Sequence, residues 1–143
     1  MKAALLDLHE VELYGWERLK SRKLIDCIRV GVERGDRFDP LYVWKVSEVE
    51  YCLDVRRVNQ ENIDELDGGH HRAYAHWLAH RPLPVLVTEE IPKQELLAYL
   101  EHDYFPITDI LMAEDHLDHP DLSELFWRTI EARLSQYSWE YRL

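Results

Sequence analysis

Asp67-Gly68-Gly69-His70-His71-Arg72, running on into Ala73-Tyr74-Ala75-His76-Trp77-Leu78-Ala79-His80, is the stretch on which the reading of this chain turns. Two adjacent glycines give way to a run of helix formers. That is the composition of a tight turn ending on an exposed helix N-terminus, where free backbone N–H groups and the helix dipole favour an anion. Glycine reaches φ > 0 and lets a ligand come close to the backbone. Arg72 adds a planar fork matched to phosphate or carboxylate oxygens. A phosphate-bearing ligand is the functional expectation. The plainer alternative is a glycine turn that only joins a strand to a helix, since short glycine motifs recur by chance.

Upstream of the turn, Leu41-Tyr42-Val43-Trp44-Lys45-Val46 is apolar on both faces and rich in β-branched and aromatic residues, which predicts a buried central strand. Glu50 to Val58 predicts the next strand, with Tyr51, Leu53 and Val55 on one face, and Asn59 to Asp64 a polar loop or hairpin tip. Before these, Ser21 is placed to cap a helix over 21–34, whose Leu24, Ile25, Ile28 and Val32 share a face and which ends near Gly35. The apolar residues Leu5, Leu6, Leu8, Val11 and Leu13 fit a short strand near residues 3–13, with a helix as the alternative for so short a run, broken in either case by Gly15. Downstream, 71–80 reads as a helix that buries Tyr74, Trp77 and Leu78, and 82–87 as a short strand. Pro92 then opens a helix with Leu96, Leu97 and Leu100 on its stripe. A last helix over 120–137 turns Leu122, Leu125, Phe126, Ile130 and Leu134 inward, and 103–119 is less regular.

The 143 residues suit one domain with a real core. An apolar share of 46% and a charged share of 31% are those of a globular protein. No apolar run approaches the roughly 20 residues that span a bilayer, and the N-terminus lacks a basic-then-apolar leader pattern, so no membrane partner and a cytoplasmic location are expected. Cys27 and Cys52 are isolated, which predicts reduced, partly buried thiols rather than a disulfide framework or a zinc pair. The net charge of −11 counts against a nucleic-acid partner, because the phosphate backbone is repelled unless basic residues gather on one face. The basic residues of the first half cluster at Arg18 to Lys23 and Arg29 to Arg37, while Glu89, Glu90, Glu114, Asp115, Asp118 and Asp121 weight the second half. An anion site is therefore expected to draw on the first half together with Arg72.

Taken in order, the helix LIDCIRVGVERG, the strand DPLYVWKV, the strand YCLDV, the turn DGGHHR, the helix AYAHWLAH and the strand RPLPVLV resemble the ParB/sulfiredoxin superfamily. The resemblance covers roughly residues 3–88, and DGGHHR is its sharpest motif. It implies an α+β fold, a small bent mixed sheet with helices of ParB/sulfiredoxin type over residues 1–88, with 89–143 as a helical extension packed on the same domain. It also implies a nucleotide held by its phosphates at the turn: ATP, ADP or CTP with magnesium. Sulfiredoxins carry a nucleophilic cysteine where this chain has His70, so their thiolate chemistry is not expected. Partition proteins have an arginine-rich loop and a helix-turn-helix domain, whereas this chain has one arginine in the loop and an acidic remainder. The loop wording is nearest to that of ADP-dependent free-serine kinases, whose base comes from the first-helix region. Glu17 and Glu33 occupy comparable places here.

On this reading Gly68, Gly69, His71, Arg72 and Lys23 bind the cofactor, and Asp67, His70 and His71 are the catalytic candidates. His71 would donate to phosphate oxygens and Arg72 would pair with them, unless Arg72 instead holds the turn by pairing with a carboxylate. His70 is either a general base or a helix cap. Asp67 either holds a phosphate-bridging metal or accepts turn N–H groups. Lys20, Arg22 and Lys23 supply a second phosphate contact or form a solvated helix face. His76 with His80, and His116 with Asp118 and His119, have metal-like spacing but read as surface groups, and no metal-ligand set is assigned. Phe126 and Trp127 read as core or interface. The expected activity is phosphotransfer or nucleotide hydrolysis. The alternatives are a non-catalytic regulator or adaptor whose C-terminal helices dock a protein partner, and a nuclease, which the charge counts against.

Overall fold

The protein is seen in a computed structural model that describes residues 1–54, 69–99 and 104–136. Asp67, Gly68, Val55 to Val58, the 59–64 segment, Leu100 and Tyr137 lie outside the described residues. The chain folds as α+β, with a mixed sheet and four helices among the described residues. Six strands are β1 (Lys2–Leu6), β2 (Glu12–Gly15), β4 (Leu41–Lys45), β5 (Glu50–Leu53), β6 (Leu83–Glu90) and β7 (Phe105–Pro106), ordered β1-β6-β4-β5-β2-β7. The β6–β4 and β5–β2 pairs are parallel and the other three antiparallel. β3 (Leu19–Lys20) and β8 (Leu111–Met112) form a separate parallel pair.

The central strand behaves as its composition requires. Leu41 and Val43 face one core, shared with Leu6, Leu53, Val85 and Ala73, while Trp44 turns to the other face with Cys52, Ile91 and Leu96. Helix α1 (Arg22–Glu33) starts at its Ser21 cap and stops in a Schellman turn, with Gly35 at φ +83° and Asp36 N–H donating to Gly31 O. Its apolar face packs against α2 (His70–Ala79) and α4 (Glu124–Gln136) through Leu24, Ile28, Ala75, Ile130 and Leu134. α3 (Lys93–Tyr99) covers the far side of the sheet through Leu96. Among the described residues no helix is long and apolar enough to cross a membrane.

Three expectations need correction. The 3–13 segment is two strands, because the Asp7 side chain and carbonyl capture the N–H groups of His9, Glu10 and Val11 in a turn. Gly15 ends a strand rather than breaking one. The last helix begins at Glu124, not near residue 120: Ser123 Oγ accepts the Phe126 N–H at 3.2 Å and so starts it late. That phase leaves Leu125 exposed, while Ile130 and Leu134 are buried. The irregular stretch holds β7, β8 and a 3-10 turn over Ala113–Asp115.

Candidate functional site

Gly69 is the N-cap of α2, at φ +94°, a left-handed conformation that glycine adopts without strain. A Cβ there would stand 2.5 Å from Leu41 Cδ2, so the turn also needs glycine to seat the helix against the central strand. The two histidines that follow are buried and both serve the segment between β2 and α1. His70 Nε2 accepts the N–H groups of Trp16 at 3.0 Å and Glu17 at 3.3 Å, with the ring edge-on to Trp16. His71 Nε2 accepts the Ser21 N–H at 2.9 Å. A backbone N–H can only donate, so both neutral rings carry their proton on Nδ1. The Glu17 carboxylate lies 3.9 Å from Nδ1 of His70. His70 therefore does not cap its own helix; its ring acts on another segment.

Ser21, held by His71, is where α1 begins, and that helix end already carries an anion. Glu114, from the 3-10 turn, accepts the Ser21 hydroxyl at 2.7 Å, the Arg22 N–H at 2.8 Å and the Lys23 N–H at 3.4 Å. Burial alone would raise its carboxyl pKa, but these hydrogen bonds outweigh it and hold the group below the usual carboxylate range. Arg22 forks onto the neighbouring Asp115 through both terminal nitrogens.

Beside these contacts lies a cleft of about 470 Å³, bounded by the 16–19 segment, His71, β7, β8 and α4. Trp16, Leu19, Phe105, Leu111, Phe126 and Ile130 make its walls largely apolar. Its charged lining is Glu17, Arg18, Asp121 and Arg133. Arg133 is 1% exposed. Arg18 is engaged, pairing with Asp109 at 3.0 Å and lying 5.2 Å above the Phe105 ring. His119 also lines the cleft; its Nδ1 accepts the Asp121 N–H, so the neutral ring keeps its proton on Nε2. Such a cleft can hold a small molecule with an apolar body and an acidic group.

The expected site residues are thus divided. His71 and Glu17 meet at the cleft, with His70 just behind. Arg72 points elsewhere: its Nη1 donates to Asp39 O at 3.0 Å, and its buried Nε has no hydrogen-bond partner among the described residues. Lys23 is exposed, 3.7 Å from Glu131. Lys20 is not on a helix face at all; it sits fully buried in β3 and donates to Glu17 O at 2.9 Å. Glu33 is at the other end of α1, paired with Arg29. His76 is buried and its Nδ1–H donates to Arg72 O, whereas His80 stacks on His9 at 4.0 Å. His116 Nδ1–H donates to Met112 O, and among the described residues no three His, Cys, Asp or Glu side chains gather in a metal-like group.

Sequence reasoning missed Arg133 and Glu114 as parts of this region and read His119 only as a surface group, while Arg18 belongs to the basic cluster from which an anion site was expected to draw. Arg133 left a signal: it falls seven residues after Phe126 and three after Ile130, on the apolar stripe of α4, where a charged residue calls for a reason. Comparison of the chain with protein-family models, with curated proteins and with solved structures finds no match.

Proposed function

We propose that this chain is a ParB/sulfiredoxin-like protein that binds a phosphate-bearing small molecule, a nucleotide first of all, in the cleft at the start of α2. One observation carries the reading. His71, from the DGGHHR turn, lines the same cleft as the buried Arg133, so the motif meets a permanent cation in a mostly apolar pocket. The cleft volume, about 470 Å³, falls within the range of small-molecule sites. If the bound molecule reacts, phosphotransfer or hydrolysis is the class of chemistry to test, with Glu17, 3.9 Å from Nδ1 of His70, the candidate carboxylate.

The test is a thermal-shift series with ATP, ADP, CTP and GTP, each with and without magnesium. A ligand that binds only the folded state raises the melting temperature by mass action, by an amount that grows with its concentration. A concentration-dependent rise with at least one nucleotide supports the reading. No rise with any of them, together with capture of a protein by the C-terminal helices, favours the adaptor reading instead.

A further inference from the structure

We propose that strand β1 pairs antiparallel with β1 of a second copy of this chain, about a two-fold axis at Ala4, so that two sheets join into one. Among the described residues β1 stands at one end of the sheet, and it carries little of what usually guards such an edge. It holds no proline, its register with β6 runs unbroken from Lys2–Val87 to Leu6–Leu83, and its one charged residue is Lys2, at its start. Met1, just before the strand, is 71% exposed and Leu5 is 68% exposed, with Ala3 also exposed between them on the same face.

The backbone says what this edge accepts. Leu5 lies opposite Pro84, which has no N–H to donate, so the hydrogen-bonded pairs of the ladder fall at Lys2, Ala4 and Leu6. Ala3 and Leu5 therefore turn their N–H and C=O groups away from β6, to the open side. Such a row of alternating donors and acceptors is complementary to another strand. A second copy set antiparallel supplies the match. With the axis at Ala4, Ala3 of each copy exchanges bonds with Leu5 of the other, and the strand pairs with itself along its whole length. The exposed Ala3 and Leu5 side chains then meet across the seam. The same orientation sets Lys2 of each copy at the Leu6–Asp7 end of the other, basic end to acidic end, whereas parallel pairing would set Lys2 against Lys2. One strand pair is a small interface between chains of net charge −11, so the dimer is reversible and gains from salt that screens the repulsion.

The test is analytical ultracentrifugation of the full chain across a hundredfold range of concentration, at low and at high salt. Expected is a reversible monomer–dimer equilibrium, tighter at high salt. Leu5→Lys sets a charge on the seam from an exposed position and is expected to weaken association by about tenfold or more. Val49→Lys, which changes another exposed apolar residue, 58% exposed and away from β1, should leave association unchanged. The register has its own readout. Ala4 faces Ala4 of the second copy as a non-hydrogen-bonded pair with Cα atoms about 4.5 Å apart, within the reach of a disulfide. Ala4→Cys is therefore expected to form a reducible cross-linked dimer on mild oxidation, about tenfold or more faster than Lys2→Cys, whose thiol lies opposite Leu6. The native Cys27 and Cys52 are buried and take no part. A monomer throughout the concentration range overturns the proposal, and that measurement needs no variant to fold. So does a dimer that Leu5→Lys leaves intact, a series of species growing beyond the dimer, or cross-linking of Lys2→Cys as fast as Ala4→Cys.

Discussion

The backbone N–H of Ser21 donates to Nε2 of His71 at 2.9 Å, a buried bond between residues 50 apart in sequence. It fixes the start of α1 against the start of α2, and with it the wall of the cleft. His71→Ala leaves that N–H buried with no acceptor, which costs about 1–3 kcal/mol. Urea denaturation monitored by tryptophan fluorescence measures it. A variant whose stability matches the parent would show that the bond does not hold the two helix starts together.

A Cβ at position 15 would lie 2.4 Å from His70 Nε2 and 2.6 Å from Cδ2. Here glycine is required by close approach and not by backbone angle. Gly15→Ala is expected to destabilise by about 1–3 kcal/mol, as overpacking of a full core does. His70→Ala removes the obstacle but orphans the Trp16 and Glu17 N–H groups. The double variant should therefore lose less than the sum of the singles, with a coupling above about 0.5 kcal/mol. Additive losses would mean that the ring and the glycine do not share one space.

These contacts explain what the sequence could and could not reveal. Periodicity located α1, the central strand and β6 because each buries a regular apolar face or run: Leu24, Ile25, Ile28 and Val32 in α1, and Leu41, Val43 and Trp44 in β4. The helix at α2 was found, but its expected stripe of Tyr74, Trp77 and Leu78 is only half-buried, and His70, His71, Ala73, Ala75 and His76 are the residues it buries. Composition marked the turn at Gly69, where φ is positive. It could not say where the side chains of that turn would go. A histidine that accepts a backbone N–H 50 residues away leaves no local pattern, and neither does Arg72 reaching Asp39. The closing of α1 by Glu114 was hidden for the same reason, since the cap lies 92 residues from Arg22. Ser123 was, like Arg133, a missed feature with a local signature, a serine three residues before Phe126 that sets where α4 begins.

Glu114 gives stability a defined acid limb. Its folded-state pKa lies below the ordinary value of 4.5, so near and below that value the unfolded chain binds more protons than the native one. Its contribution is complete above the unfolded pKa and is lost as pH falls through the lower folded value. Glu114→Gln keeps the shape but gives up the charge-assisted bonds to Ser21, Arg22 and Lys23, at a cost of about 1–2 kcal/mol at pH 7. The gap between parent and variant should close as pH drops below about 4. A gap that is constant from pH 7 to pH 3 would show that the carboxylate charge plays no part in closing the helix.

Both thiols should be silent in the native protein. Cys52 lies within the sheet, paired across from Trp44 on β4 and Tyr14 on β2. Burial, aided by the Asp54 carboxylate, pushes its pKa up to about 12, so almost no thiolate exists at pH 8. Cys27 is 1% exposed on the face of α1 that packs against the other helices. A thiol reagent at pH 8 is therefore expected to label both cysteines only through opening of the fold. The labelling rate should rise with mild urea in step with unfolding, and destabilised variants such as Gly15→Ala should label faster by the factor their stability loss predicts, about tenfold per 1.4 kcal/mol. Labelling of either thiol at the rate of an exposed cysteine, unchanged by urea, would place that side chain outside the core.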